Sequence, residues 1–321
     1  GLRMGGERRR IAILTSDLRG FTATAERLPP EGVIEILNHY LEAMADVITT
    51  YGGTIDEFMG DGILVLFGAP TARPDDAKRA IACAVAMQGV MGQVNQTMRR
   101  LGFQALEMGI GVNVGDVVVG NIGSLKRTKY GIVGSQVNLT YRVESYTIGG
   151  QILITESALE AAGGEAYVHV KGTKQVQPKG VQKPITIYDV GGVAAPYHLT
   201  LAIEEEEFWA IAPGLPVSYQ VLDGKDVGDQ QYAAEILELS EHSARLKLLP
   251  VGLAADFSAG LTTTTEPEPV PVGAPGSSET PPPDQTSEPT SESGAEQRSR
   301  PAGNNSRGQG VYPACLLYTS P

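Results

Sequence analysis

Residues 54–67 read TIDEFMGDGILVLF, which is a β-rich run, a short turn and a second β-rich run. The runs are Thr54–Phe58 and Ile63–Phe67, and Met59–Gly62 lies between them. Glycine on both sides of an aspartate favours a tight connection between two antiparallel strands. The pattern therefore predicts a β-hairpin that carries the Asp61 carboxylate at its tip.

The segments before this hairpin predict a strand and then an amphipathic helix. Arg10–Ser16 is a short β-rich run, and Asp17–Gly20 reads as a turn. Pro29 and Pro30 support the first turn of a helix, because proline fixes its own backbone angle and no amide donor is needed there. Apolar residues then recur three or four apart, as on one face of a helix, at Val33, Ile36, Leu37, Tyr40, Leu41, Met44, Val47 and Ile48.

The segments after the hairpin continue the alternation of helices and strands up to residue 192. We expect helices from about Asp75 to Gly102 and over Gln136–Ser145. We expect strands at Glu107–Val114, Val117–Asn121, Gln151–Thr155 and Ile185–Val190. This order predicts an α+β domain over residues 7–192, with a ferredoxin-like βαββαβ topology, an antiparallel-rich sheet and helices on one face.

Two further zones follow this domain. Residues 195–258 hold three β-rich runs, Pro216–Leu222, Tyr232–Leu239 and Ala244–Leu249, which predict a small β-rich domain. Residues 262–321 form a tail that is mostly rich in Pro, Ser, Thr and Glu, and we expect it to be disordered. Such a composition buries too little apolar surface to offset the entropy of the chain.

Charge and composition exclude several classes of function. Residues 1–193 hold 19 Lys/Arg and 19 Asp/Glu, whereas residues 194–321 hold 6 and 18, so the formal net charge of −12 lies in the second part. We therefore expect no nucleic acid or anionic lipid as a partner. The sequence has no apolar run of membrane-spanning length and no signal peptide, so we expect a cytoplasmic protein. Because it begins Gly-Leu-Arg, we expect an upstream sensor domain to be missing.

Two aspartates are candidate metal ligands. Asp17 follows one predicted strand and Asp61 lies at the hairpin tip, so both carboxylates emerge at the same end of a sheet in which these strands are neighbours. Hard oxygen ligands of this kind suit Mg²⁺ or Mn²⁺ and leave coordination places for substrate phosphates. Backbone amides of Gly20, Phe21 and Thr22, at the start of a helix, could hold phosphate oxygens. Taken singly, each aspartate could instead cap a turn.

Four motifs in this order together resemble the class III adenylate/guanylate cyclase catalytic domain. They are Ser16–Thr22 (SDLRGFT), Phe58–Gly62 (FMGDG), Gly109–Gly115 (GIGVNVG) and Val137–Arg142 (VNLTYR). The resemblance covers about residues 7–192. It implies that Asp17 and Asp61 bind two Mg²⁺ or Mn²⁺ ions in each active site, with the backbone carbonyl of Leu18 as a further ligand.

The resemblance also implies a transition-state pair and a dimer. Asn138 would orient the ribose and Arg142 would stabilise charge on the α-phosphate, and residues four apart on a helix do share one face. Lys179 matches the lysine that binds the triphosphate, with Lys183 as a rival. In the family the active sites lie at a dimer interface, so a homodimer is expected in which one subunit supplies the aspartates and the other supplies Asn138 and Arg142.

Two positions bear on the choice of base. Glu57 stands where the family's adenylate cyclases usually carry Lys and its guanylate cyclases Glu, and Gly131 stands at the second specificity position. A carboxylate can accept from the N1–H and 2-amino groups of guanine, whereas the bare N1 of adenine would repel it. Gly131 would leave room and a backbone amide for the guanine O6. The sequence thus favours GTP as the substrate and cyclic GMP as the product.

Two alternatives for the function remain open, and one resemblance concerns the second domain. The domain could be an adenylate cyclase on the same scaffold, or a catalytically silent nucleotide-binding or dimerisation module. Residues Glu238–Ser243 faintly resemble a motif of PilZ domains, which bind cyclic di-GMP, but the arginine-rich motif of those domains is absent. If that resemblance holds, residues 195–258 are a degenerate PilZ-like interaction module.

Overall fold

The computed structural model describes residues 5–124, 127–202, 207–223, 226–240, 244–249 and 311–312. Contacts between Cα atoms divide the chain into two compact units, the second of which begins at Phe208. The first unit contains five α-helices and nine strands among the described residues. They are β1 Gly5–Leu18, α1 Phe21–Ala25, α2 Pro30–Thr50, β2 Thr54–Met59, β3 Gly62–Phe67, α3 Asp76–Leu101, β4 Met108–Ser124, β5 Arg127–Val133, α4 Ser135–Ser145, β6 Ile152–Thr155, α5 Glu156–Ala162, β7 Val168–Val176, β8 Ile185–Val193 and β9 Leu199–Thr200.

The strands of this unit form one sheet in the order β2-β3-β1-β4-β6-β8-β7. Strand β5 pairs with β4 and β9 pairs with β8, and every described pairing is antiparallel except that of β4 with β6. The expected α+β fold with an antiparallel-rich sheet is confirmed. The long β1 lies between β3 and β4, so it is paired on both edges from Ala12 to Ser16, and its end is the place where elements distant in the chain meet.

The main core lies on the face of the sheet that α2 and α3 cover. Helix α2 buries Ile36, Tyr40, Met44 and Ile48, all on the apolar face that the sequence predicted. They pack in one cluster with alternate residues of β1, such as Leu14. Residues two apart in a strand point to the same face, so Ile11 and Ile13 point to the opposite one.

Helix α4 covers that opposite face. Val137 and Tyr141 of α4 pack against a smaller cluster that contains Ile11 and Ile13 of β1 and Val119 of β4. The prediction that the helices lie on one face was therefore wrong. Periodicity along a helix shows which side is apolar, but it does not show which face of the sheet that side meets.

Other local predictions also needed correction. Glu107–Val114 and Val117–Asn121 are not two strands but parts of the continuous strand β4. Gly115 and Asp116 resemble a turn in sequence, but β1 pairs with β4 along its length, from Gly5 with Asn121 to Leu18 with Met108. That ladder keeps the chain extended. The sequence reading also missed β5, β7 and α5.

Beyond residue 207 the described strands form a second sheet in the order β10-β11-β12-β13, with β10 Trp209–Asp223, β11 Asp226–Leu239, β12 Ala244–Leu248 and β13 Val311–Tyr312. The three β-rich runs expected between 195 and 258 lie within β10, β11 and β12. Apart from β13, the tail 262–321 lies outside the described residues, as do residues 241–243 of the PilZ-like motif. None of the helices described is both long and apolar enough to cross a bilayer.

Candidate active site

The carboxylates of Asp17 and Asp61 lie together at one end of the sheet. Strands β1 and β3 are antiparallel neighbours, with Ser16 opposite Ile63, so the end of β1 meets the turn between β2 and β3. The backbone N–H of Leu18 donates to Asp61 Oδ2 at 3.0 Å. A Cβ at Gly62 would lie 3.6 Å from Asp17 Oδ1. Asp17 is the second-last residue of β1, rather than part of a turn after it.

The surroundings of this acidic pair disfavour two negative charges. Burial raises the pKa of Asp61 to about 6, and the neighbouring charge of Asp17 adds to the effect. The fully buried Tyr40 lies close by, and burial raises the pKa of its hydroxyl, with the charges of Asp61 and Asp17 adding to the effect. A cation bound between the carboxylates would relieve this repulsion.

The donor set fits a hard divalent ion better than a softer metal. Within the described parts of the chain, no three His, Cys, Asp or Glu side chains come together as a metal cage. Two carboxylates with an adjacent backbone are a partial oxygen set, and Mg²⁺ characteristically completes such a set with water and phosphate oxygens. Asp17 and Asp61 are therefore suitably placed candidates for the predicted ligands, and the Leu18 carbonyl stays a prediction.

The predicted phosphate-binding loop, residues 20–22, follows shortly after Asp17 in the chain. Gly20 precedes α1 with a φ of 67°, a left-handed conformation that glycine adopts without strain. The side chain of Phe21 is buried in the main core, whereas Thr22 is exposed. The buried Phe21 anchors the loop beside the carboxylates. Its backbone amides remain candidates for phosphate binding.

Helix α4 carries the predicted transition-state pair on one face. Asn138 is exposed, and Arg142 is half-buried one turn further along. A Cβ at Gly180 would lie 3.4 Å from Arg142 Nη1, so the turn that contains Lys179 lies against the Arg142 guanidinium. Lys179 and Lys183 are both exposed. The structure thus brings the turn beside Lys179 to Arg142, whereas Asp17 and Asp61 gather at the end of β1.

Glycines of β4 allow α4 to pack closely against that strand. A Cβ at Gly111 would lie 2.6 Å from the backbone N of Glu144, which is closer than Cβ atoms approach such atoms in proteins. Asn113, on the same face of β4, donates from Nδ2 to the carbonyl of Gln136 at 3.2 Å. Asn113 Oδ1 in turn accepts from Thr155 Oγ1 at 2.8 Å. The GIGVNVG motif therefore places glycine and asparagine where the helix must approach closely, and alternates them with core residues.

The two base-specifying positions share a charged cluster. Lys129 Nζ lies 3.2 Å from Glu57 Oε2 and 3.1 Å from Asp56 Oδ2. Glu57 has a 48% exposed side chain, whereas that of Asp56 is only 7% exposed. Hydrogen bonds with these carboxylates raise the pKa of Lys129 although burial opposes them. Glu57 is therefore held near the Gly131 strand by an ion pair.

The space beside Gly131 is not empty, contrary to the expectation of room for guanine O6. A Cβ at Gly131 would lie 3.2 Å from Asp56 Oδ1. The pairing register of β2 with β3 shifts between Ile55 and Glu57, and Asp56 lies at this irregularity. A bulge re-aims the side chain of the extra residue, which is why strand alternation in the sequence did not place Asp56 here.

Arg19 is a residue of the site to which the sequence reading assigned no role. Its Nη2 lies 3.4 Å from Asp17 Oδ2 and forms an ion pair with Glu144 Oε1 of α4. Both residues stand inside or beside quoted motifs, Arg19 in SDLRGFT and Glu144 two positions after Arg142. The opposite charges of the two side chains were the available signal, but 125 positions separate the two residues.

The site thus combines an antiparallel-rich α+β domain with two carboxylates paired at the end of β1. The chain belongs to the adenylate and guanylate cyclase catalytic domain family, because the profile of that family matches residues 6–191. The family membership that the four motifs predicted is thereby confirmed.

Related proteins and structures agree with this placement. The crystal structure of the guanylyl cyclase Cya2 is 67% identical, with a TM-score of 0.61, and the match covers 62% of this chain and all of that one. The adenylyl cyclase CyaB from P. aeruginosa is 35% identical with a TM-score of 0.56, over 58% of this chain and 96% of that one.

Curated relatives are longer proteins. An adenylate cyclase of Anabaena cylindrica is 34% identical over 191 residues, which are 57% of this chain and 37% of the relative. Adenylate cyclase 1 of Rhizobium meliloti (strain 1021) is 27% identical over 61% of this chain and 29% of its own length. The chain therefore spans about a third of the length of these relatives.

Proposed function

We propose that the cyclase domain converts GTP to cyclic GMP and pyrophosphate in a homodimer whose two active sites are shared between subunits. The observation that carries the proposal is the convergence of Asp17 and Asp61 at a strand end, in a member of this family. Each site would take Asp17, Asp61 and the Leu18 carbonyl from one subunit. Asn138, Arg142 and Glu57 would come from the other.

The reaction is an in-line displacement at phosphorus. The ribose O3′ forms a bond to the α-phosphorus, the bond from that phosphorus to the bridging oxygen of the β-phosphate breaks, and the hydroxyl proton passes to solvent. Divalent ions, when bound, lower the pKa of the attacking hydroxyl and neutralise charge on the phosphates. Asn138 orients the ribose, Arg142 offsets the charge that develops on the α-phosphate, and Lys179 binds the triphosphate.

Glu57 supports the preference for guanine. Its carboxylate can accept from two adjacent donors of guanine, N1–H and the 2-amino group. An adenine in the same place would present an unprotonated N1 to a carboxylate, and a mismatched polar contact of that kind costs about 1–3 kcal/mol, or roughly tenfold or more in discrimination. The 67% identical structure is that of a guanylyl cyclase, which supports the same choice.

An adenylate cyclase is the second candidate, and Asp56 is the observation in its favour. The Asp56 carboxylate lies 3.2 Å from the place of a Cβ at Gly131. A carboxylate there could accept a hydrogen bond from the 6-amino group of adenine. Lys129 Nζ lies 3.1 Å from Asp56 and 3.2 Å from Glu57, so this ion pair does not separate the two carboxylates. We give Asp56 less weight because its side chain is only 7% exposed, whereas that of Glu57 is 48% exposed and more open to a base.

The deciding experiment incubates the purified protein with Mn²⁺ and either GTP or ATP, and identifies the product by mass. Cyclic GMP from GTP is the expected result. Cyclic AMP alone would establish the second candidate, and no product from either nucleotide would indicate the silent module. Asp61→Ala serves as the control for contaminating cyclases, since it should abolish formation of any product.

The role of Glu57 in selecting the base is tested by reversing its charge. Glu57→Lys should lower the GTP to ATP preference by roughly tenfold or more, because an ammonium suits the adenine N1. Glu42→Lys, an exposed site on α2, makes the same charge change away from the cluster and should leave the preference unaltered. Adding Gly131→Asp should extend the shift only if the new carboxylate displaces Asp56. An unchanged preference for GTP over ATP in Glu57→Lys would show that Glu57 does not select the base.

The shared site is tested by mixing two inactive proteins. Asp17→Ala and Asn138→Ala should each be inactive alone. Their mixed dimer keeps one undamaged site, with Asp17 from one subunit and Asn138 from the other, so activity should return on mixing. A mixture of Asp17→Ala with Asp61→Ala is the matched control, because both changes lie in the same half-site and no undamaged site can form.

The wider role is also a proposal. The relatives extend well beyond the matched region, which supports our view of this domain as the output part of a larger signalling protein with an upstream sensor. A cytoplasmic place of action and a PilZ-like origin of the second unit both stay predictions.

A further inference from the structure

Arg19 joins three groups of different elements. Its Nη2 faces Asp17 Oδ2 at 3.4 Å, and the same atom pairs with Glu144 Oε1. Its Nη1 donates to the carbonyl of Thr147, just after α4, at 3.4 Å. The side chain of Arg19 is 16% exposed and that of Glu144 only 4%. One guanidinium therefore connects the end of β1 to the end of α4.

Contacts of the Arg19 backbone and side chain with the region around the start of β4 restrict this residue further. The backbone N–H of Arg19 donates to the carbonyl of Glu107 at 2.7 Å. A Cβ at Gly109 would lie 3.2 Å from Arg19 Cζ, so the guanidinium lies close to the glycine at the start of β4. A planar, forked cation in such a slot can bind two carboxylates in fixed directions, which an ammonium does less well.

The two carboxylates that share Arg19 neighbour different catalytic groups. Asp17 is a predicted metal ligand. Glu144 is two residues beyond Arg142 on the same helix, and its backbone lies directly on Gly111 of β4. Since a buried carboxylate is strongly destabilised without a partner, Arg19 fixes the position of α4 through Glu144.

We propose that Arg19 is a positioning residue for both active sites of the dimer at once, an inference that rests on the shared-site dimer of the proposed function. In one site it orients Asp17 toward the divalent ions. In the other it holds α4, and with it Asn138 and Arg142, against β4. A single side chain thus serves two half-sites that never act on the same substrate molecule.

The mixed dimer separates these two roles. Its undamaged site takes Asp17 from the Asn138→Ala subunit and takes Asn138 from the Asp17→Ala subunit. Arg19→Ala in the Asn138→Ala subunit should raise the Mn²⁺ concentration for half-maximal activity about tenfold, because only the orientation of Asp17 is affected in the undamaged site. The same change in the Asn138→Ala protein alone should raise the Mn²⁺ concentration for half-maximal thermal stabilisation about tenfold, a measurement that needs no turnover. Arg19→Ala in the Asp17→Ala subunit should lower kcat about tenfold and leave the Mn²⁺ dependence unchanged.

Matched variants keep a structural role apart from a positioning role. Arg19→Lys retains one charge and should restore part of the activity in both placements. Arg27→Ala, an exposed residue near α1, should have no effect in either. If Arg19→Ala does not fold, Glu144→Gln replaces it. That variant should lower kcat only in the Asp17→Ala subunit and should leave the Mn²⁺ dependence unaltered in both.

Two outcomes overturn the proposal in distinguishable ways. If the parent mixture of Asp17→Ala and Asn138→Ala has no activity, the shared-site dimer fails and the inference fails with it. If the parent mixture is active but both placements of Arg19→Ala give the same loss with no change in Mn²⁺ dependence, the proposed function stands. In that case Arg19 only stabilises the fold.

Discussion

Replacement of Gly111 by alanine tests whether catalysis depends on the close packing of α4 against β4. The new Cβ would lie 2.6 Å from the backbone N of Glu144, 2.8 Å from its Cβ and 2.9 Å from its Cα. Two of these atoms belong to the helix backbone, so no side-chain rotation can relieve the contact. Since ordinary contact begins at 3.4 Å, α4 must move away by about 0.8 Å.

The expected effect follows from this displacement. Asn138 and Arg142 move with α4, and a misplacement of about 1 Å in a catalytic constellation can cost roughly 10²-fold in rate. We therefore expect kcat of Gly111→Ala to fall by roughly 30- to 100-fold. Overpacking of this kind typically lowers the free energy of unfolding by about 1–3 kcal/mol, so the protein should still fold.

Steady-state kinetics and thermal unfolding on the same preparations measure both quantities. Gly92→Ala is the matched control, because Gly92 is exposed in α3 and a Cβ there has no atom within 4 Å. It should raise the free energy of unfolding by about 0.5–1 kcal/mol, because alanine favours a helix over glycine, and leave kcat unchanged. A kcat of Gly111→Ala within twofold of the wild type would refute the dependence of catalysis on this close packing.

Two further predictions concern stability. Because folding raises the pKa of Asp61 to about 6, the metal-free native state should lose stability as the pH rises from about 4 through 6. Asp61→Asn should escape this loss, so its free energy of unfolding should exceed that of the wild type by roughly 1–2 kcal/mol at pH 7.5 and equal it near pH 4. Differential scanning calorimetry measures both, and it should show no stabilisation of Asp61→Asn by Mn²⁺. Asn113→Ala should lower the free energy of unfolding by about 1–3 kcal/mol and also reduce kcat, because it removes the hydrogen bonds that fix Gln136 at the start of α4; denaturant unfolding that matched the wild type would contradict this.

Much of the fold could be predicted because its signals are local. The apolar face of α2, the hairpin of β2 and β3, and the extent of α4 follow from spacing and turn residues within a few positions. The errors arose where a distant partner decided the outcome. Gly115 would suit a turn, but its pairing with Ile11 of β1 keeps β4 extended.

The candidate site divides in the same way. The order of the four motifs was enough to predict the family and to select Asp17, Asp61, Asn138 and Arg142. The surroundings of these residues were not predictable from that order. Asp56 comes to lie beside Gly131 through a bulge, and a bulge depends on how β2 pairs with β3 rather than on its own composition.

The sequence by itself determined which chemistry-bearing residues the chain has and which of them share a helix face or a hairpin, because those relations repeat over short distances along the backbone. Only the tertiary structure decided that α4 lies on the face of the sheet opposite α2 and α3, and that one guanidinium at position 19 meets both Asp17 and Glu144. Such contacts depend on the order and register of the strands, and these are fixed by packing and pairing across the whole domain.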